Sequence, residues 1–216
     1  MGKYDEAIKK YEKALKSTDI AEVHFNIAHC YYLVEQFDYA VSHYISALKI
    51  KKNTRHDYYY YLACALLASG RTKDAIKCFR CAIKLNDRKS FYYFNLGNAY
   101  FVYKKFAKAI LCVERAIQVE TVYPTKGKQS LNMKDANFLL FKSYFAMPSI
   151  NYEKCEALIK GLIREEPNNV EYLDYLASLQ EKTNRTQEAI QTYKSIEKID
   201  PNNENAKNSL SRLEDN

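Results

Sequence analysis

Tryptophan is absent from this 216-residue chain, and turn-formers are scarce, with five glycines and four prolines. So few of them cannot supply the many tight hairpins of an all-β fold. No apolar run reaches membrane-spanning length: the longest nearly unbroken one, Tyr58 to Ser69, is roughly half a span, and no charged-then-apolar leader opens the sequence. Among six cysteines only Cys78 and Cys81 form a C-x-x-C. No second pair or Cys/His couple follows at zinc spacing, and no strand precedes it as in a redox motif. The cysteines read as buried free thiols rather than as a disulfide framework. These absences point to a soluble, intracellular, cytoplasmic helical protein with no metal and no cofactor.

What is present is a 47% hydrophobic, 27% charged chain with 20 tyrosines and 10 phenylalanines, ordinary for one globular domain and wrong for a disordered one. The net charge of +7 is unevenly placed. Residues 1–150 hold 24 Lys+Arg against 13 Asp+Glu, or +11, and residues 151–216 hold 9 against 13, or −4. Such polarity either steers an acidic partner or solvates helix backs.

A repeat organises the chain. The segment from Tyr4 to Leu15 recurs from Phe37, Thr72, Phe106, Tyr152 and Thr186. The first small residues of these copies are Ala7, Ala40, Ala75, Ala109, Cys155 and Ala189, spaced by 33, 35, 34, 46 and 34. Before each copy except the first lies another amphipathic stretch, starting near Val23, Tyr59, Tyr93, Asn137 and Tyr172. Apolar residues return every three or four positions in both, so both are helices. Small residues such as Ala28, Ala63, Gly97 and Ala177 mark close approach of neighbouring helices. Glu166-Pro167 and Asp200-Pro201 stop the second helix of their units.

These residues resemble the tetratricopeptide repeat (TPR) family, whose unit is a helix pair of 34 residues. The resemblance rests on small-x2-Tyr (Ala28/Tyr31, Gly97/Tyr100), on Ala-x3-aromatic-x2-Ala (Ala40/Tyr44/Ala47, Ala75/Phe79/Ala82) and on the closing prolines, and it covers roughly residues 2–203. Pentatricopeptide repeats use a different small-residue pattern, and half-a-TPR repeats rely on tryptophans missing here. The family implies an all-α fold, a right-handed superhelical solenoid of antiparallel helix pairs. The expected organisation is a single solenoid over residues 1–216. Within it, residues 2–18 form the second helix of an incomplete repeat, and full repeats span 21–54, 56–89, 90–123, 134–169 and 170–203. An inserted loop occupies 124–133 and a capping helix 204–216. Because the sequence opens inside a second helix, it reads either as part of a longer protein, which we favour, or as a chain capped by a lone helix.

Family geometry places the first helices along a concave face. One aromatic row there is Phe25, Tyr60, Phe94 and Phe138, followed by Asp174; a second is Tyr32, Leu67, Phe101 and Phe145, followed by Glu181. Between them lie Asn26, His29, Tyr61, Asn95, Asn98 and Lys142. The rows serve either packing between repeats or a ligand. An asparagine lining a groove can clamp a peptide backbone through both donor and acceptor, so an extended peptide or an apolar-anchored helix suits this surface. Asn95-Leu96-Gly97-Asn98 resembles part of the carboxylate clamp with which some TPR proteins bind chaperone C-termini, but Phe94 stands where a lysine is expected and the clamp is incomplete.

Basic residues collect on second helices: Lys9, Lys10 and Lys13; Lys73, Lys77, Arg80 and Lys84; Lys105, Lys108 and Arg115. An acidic protein surface, including a cytoskeletal filament tail, fits them at least as well as nucleic acid, because Glu6, Glu12 and Glu114 interleave. His24, His29, His43 and His56 belong to no catalytic constellation. The expected function is a non-catalytic scaffold or adaptor holding a partner peptide or helix within a multiprotein complex. The alternatives are a subunit docked on an acidic filament or nucleic acid, and a regulatory segment of a larger enzyme.

Overall fold

Wherever apolar side chains return every three or four residues, the chain is helical, and the described residues contain no strand. The computed structural model describes residues 2–15, 20–51, 54–125, 127 and 130–214. The expected helix end at 16–18, residues 52–53 of the 21–54 repeat, Lys126, Lys128 and Gln129 of the expected insertion, and residues 215–216 lie outside them. Twelve helices are described: α1 Gly2–Leu15, α2 Ala21–Leu33, α3 Phe37–Ile50, α4 His56–Ala68, α5 Thr72–Leu85, α6 Ser90–Val102, α7 Phe106–Val122, α8 Met133–Phe145, α9 Tyr152–Glu165, α10 Val170–Lys182, α11 Thr186–Ile199 and α12 Glu204–Glu214. This is an all-α helical-repeat solenoid fold. No helix among the described residues is long and apolar enough to cross a membrane.

The chain divides into two compact units, residues 1–131 and 132–216. In the first, each helix from α1 to α7 packs on its sequence neighbours, and α4 also touches α2 and α6. Ala28 and Ala63 on first helices and Ala40, Ala75 and Ala109 on second helices are fully buried, because backbones meet there and leave no room for larger side chains. The rings of Tyr44 and Phe79 fill the wider spaces between them and are also fully buried. In the second unit, Ala177, Ala189 and Cys155 take the small positions, with Tyr193 and Ile159 beside them.

Four connections between first and second helices share one device. Three residues join α2 to α3, α4 to α5, α6 to α7 and α10 to α11. The middle one is left-handed in each case: Glu35 (φ 61°), Gly70 (φ 78°), Lys104 (φ 55°) and Asn184 (φ 57°). Around Glu35, its own N–H donates to Tyr32 O at 3.1 Å and the Gln36 N–H donates to Tyr31 O at 2.9 Å. The same pair of bonds recurs at the other three turns, the Schellman arrangement that satisfies carbonyls at a helix end. The α8–α9 connection is longer, residues 146–151, and starts its next helix with Asn151, whose side chain accepts from the Lys154 N–H.

Two further features differ in kind. In the last turn of α7, the carboxylate of Glu120 receives the Ser90 hydroxyl, the Thr125 N–H at 3.0 Å and the Ser130 hydroxyl at 3.2 Å. One acid thereby anchors the described part of the segment expected as an insertion. Of the six free cysteines, Cys155 is buried but Cys81 is exposed, contrary to the expectation of burial. Its i, i+4, i+7 spacing with Lys77 and Lys84 puts it on the solvent side of α5.

Candidate functional site

Helical spacing sets the residues expected to line the first helices on one face: positions 25, 29 and 32 of α2, 60 and 67 of α4, and 94, 98 and 101 of α6 are three, four or seven apart. In the first unit the Phe25 ring stacks on Tyr58 of the following repeat at 4.6 Å, with Tyr44 and Tyr61 edge-on at 5.4 and 5.3 Å. Tyr60 repeats the arrangement one unit on, stacking on Tyr92 at 4.8 Å. These are joints between repeats, and both rings stay half-buried. Sequence reasoning missed Tyr58 and Tyr92, the receiving partners. Their signal is an aromatic two residues before the expected one in each helix, a spacing that points away from the face being sought.

The polar residues divide into engaged and free. Asn95 uses its NH2 twice, donating to Phe91 O at 2.8 Å and to the Tyr60 hydroxyl at 3.3 Å. It therefore offers a partner only its carbonyl oxygen, not the two-way clamp that its amide suggests. His29 lies between Tyr61, edge-on at 5.5 Å, and the Tyr44 hydroxyl at 3.5 Å, and burial lowers its pKa, so the ring stays neutral near pH 7. Asn26 is exposed and Asn98 half-buried, and neither amide has a hydrogen-bond partner among the described residues. Phe94, likewise half-buried, has no ring partner among them. Tyr32 leans edge-on against Phe37 at 5.6 Å, and Phe101 lies tilted against Phe106 at 5.6 Å.

In the second unit Phe138 meets Tyr172 edge-on at 4.9 Å, the same repeat-to-repeat joint, and Lys142 Nζ lies 4.2 Å over the Phe138 ring. Phe145 packs on Phe141 and Tyr175 at 5.6 Å each. The acidic end of the two rows is covered rather than open. Asp174 accepts from Asn205 Nδ2 at 2.6 Å, and Glu181 accepts from Arg212 at 2.6 Å, both donors belonging to α12. Burial raises the Asp174 carboxyl pKa, partly offset by the Asn205 hydrogen bond, and Glu181 adds to the rise.

Other chemistry-bearing groups are held by packing. Burial pushes the Cys64 thiol up to about 12 and the Cys78, Cys112 and Cys155 thiols up to about 11, away from nucleophilic thiolate. The Nδ1 atoms of His24 and His43 lie 2.9 Å apart, joining α2 to α3. No group of three or more His, Cys, Asp or Glu among the described residues could hold a metal ion.

Two family models, each described as tetratricopeptide repeat, match residues 60–121 and 171–203. No curated protein matches the sequence. Among solved structures, the chain is similar to the MamA protein, with 22% identity and a TM-score of 0.70 over 84% of this chain and 92% of that one. It is similar to YrrB, described as a TPR protein with an unusual peptide-binding site, at 14% identity and a TM-score of 0.75, covering 93% and 97%. PilF of Pseudomonas aeruginosa matches at 18% identity and a TM-score of 0.66, covering 98% and 85%. At these identities the likeness is one of fold.

Proposed function

From the premise that this chain is a tetratricopeptide repeat protein, a fold that serves as a generally non-catalytic protein-interaction scaffold, we propose that it is an adaptor whose first helices hold a peptide or helical segment of a protein partner. The observation that carries this reading is on α6. Phe94 and Asn98 share a face, lie four residues apart, and lack a ring partner and a hydrogen bond respectively among the described residues. An apolar anchor beside an unpaired amide matches what a peptide offers, a side chain and a backbone amide. Asn26 on α2 repeats the free amide, and Phe101 adds a second anchor one turn beyond Asn98. In the second unit the first helix α8 differs: Phe138 and Phe145 are packed against other rings, and Lys142 adds a cation over Phe138. The peptide-binding site described for YrrB is consistent with this use of the fold.

Burying two or three aromatic anchors is worth a few kcal/mol gross, about 2 each. Ordering costs then leave roughly micromolar affinity per segment. We place the adaptor in a cytoplasmic multiprotein assembly. The test is purification of the tagged protein from its native cells beside a Phe94→Ala/Asn98→Ala variant, with mass spectrometry of the co-purifying proteins and circular dichroism of both. Loss of one specific partner with the helices intact supports the reading. An unchanged partner set overturns it.

A further inference from the structure

The outer side of the same helices carries a different surface. On α6, Leu96 falls about 140–160° around the helix from Phe94, Asn98 and Phe101, and Tyr93 about 80–140°, at 3.6 residues per turn. There they line an open groove of about 370 Å³ between α5 and α7. Its apolar lining includes Ile83, Leu96 and Leu111, and Leu111 is 66% exposed, the most exposed large apolar side chain among the described residues. Arg80, Lys84 and Arg115 also line it. An adjoining groove of about 360 Å³, lined by Lys77, Arg80, Cys81 and Lys84, extends the cationic strip along α5.

These cations are not balanced locally. Arg80 and Lys84 make no ion pair among the described residues. Arg115 donates to the neutral Gln118 at 2.6 Å and lies 5.9 Å over the Tyr93 ring. Asp74, the carboxylate of α5, is occupied by Lys77 at 3.0 Å and Arg71 at 3.7 Å, and α6 contains no acidic residue. Glu114 of α7 has an interaction of its own and does not line the groove.

We infer that this outer groove is a second docking site, taking a short acidic segment of a protein partner that carries one bulky apolar side chain. The apolar side chain would cover Leu111 and enter the floor, and carboxylates on either side would meet Arg80, Lys84 and Arg115. Charge complementarity selects this occupant: two cations without a partner flank an apolar floor, and removing that floor from water rewards only a ligand that brings apolar area with its negative charge. Phosphates of a nucleic acid would satisfy the rim but leave Leu111 uncovered. The site is separate from the inner face, so it stands or falls independently of the adaptor reading.

The probe is a fluorescein-labelled ten-residue peptide of aspartate and glutamate around one central leucine, titrated into the whole chain by anisotropy and by amide NMR. We expect saturable micromolar binding with shifts concentrated at residues 80–84, 93–96 and 111–115. Leu111→Asp and Arg80→Glu/Lys84→Glu should each weaken binding about tenfold or more. All three positions are exposed, and circular dichroism checks each fold. Replacing the peptide leucine by alanine should weaken it severalfold, and added salt should weaken it further. Phe94→Ala/Asn98→Ala should leave it unchanged. The inference is overturned by absent binding, by shifts centred on residues 25–32 or 98–101, or by equal affinity for the alanine peptide. A single-stranded RNA oligonucleotide that binds the groove more tightly than the peptide also overturns it.

Discussion

Two residues show how finely single atoms decide the packing. A Cβ placed on Gly97 would lie 2.8 Å from Val113 Cγ2 and 3.3 Å from Ala109 O. Valine is stiff at χ1 and cannot swing away cheaply. Gly97→Ala should therefore destabilise the protein by about 1 kcal/mol, the overpacking cost exceeding the gain in helix propensity. Adding Val113→Ala removes the clashing methyl, so the double variant should lose about 1 kcal/mol less than the sum of the singles. Urea unfolding of the four proteins reads this, and additive losses would show that Val113 is not the excluding group.

Glu156 makes the second case. Arg185 grips its carboxylate with two bonds of 2.9 and 3.0 Å, and Lys160 adds a third at 2.6 Å. Arg185 and then Lys160 hold the carboxyl pKa down at about 2. A carboxyl lowered on folding contributes stability that is complete above its ordinary value of 4.5 and is lost as pH falls towards 2. Glu156→Gln should thus cost about 1 kcal/mol at pH 7, and the gap to the parent should close between pH 4.5 and 2. A gap unchanged across that range in urea titrations would contradict the ion pair.

At the scale of elements, the three-residue turns share one backbone geometry. Each three-residue connection needs a left-handed residue at its centre, yet only Gly70 is free of the Cβ penalty there. Glu35→Gly and Lys104→Gly should each stabilise by about 0.5–1 kcal/mol, while Gly70→Ala should cost about 1 kcal/mol. Thermal unfolding of the three variants checks the signs. Asn184 sits between these extremes, since asparagine tolerates the left-handed region better than most residues. At the other end of the second unit, α12 buries Ala206 and Leu210 against Leu173, Ala177, Ile190 and Tyr193. It also answers Asp174 and Glu181 with Asn205 and Arg212. The helix expected from the sequence as a cap thus lays an apolar stripe on α10 and α11 while its remaining residues stay polar.

At the scale of the whole molecule, the sequence determined the helices and their pairing. The apolar period and the small-residue positions are properties of a few consecutive residues, and Ala28, Ala40, Ala63, Ala75 and Ala109 are buried because adjacent helices must meet somewhere along every pair. The prolines likewise act on their own neighbours, and α9 and α11 end at Glu165 and Ile199 just before Glu166-Pro167 and Asp200-Pro201. Tertiary structure alone decided which side chains remain available. Phe25, Tyr60 and Phe94 occupy equivalent places, yet two stack on the next repeat and one has no ring partner among the described residues. Asn95 and Asn98 look alike in sequence, but only Asn95 has its donors taken. The outer groove was likewise invisible, although its cations were plain, because Leu111 and Arg80 come from different helices. Local periodicity places a side chain on a face, but whether that face is already occupied depends on residues some 35 positions away along the chain, which only folding brings together.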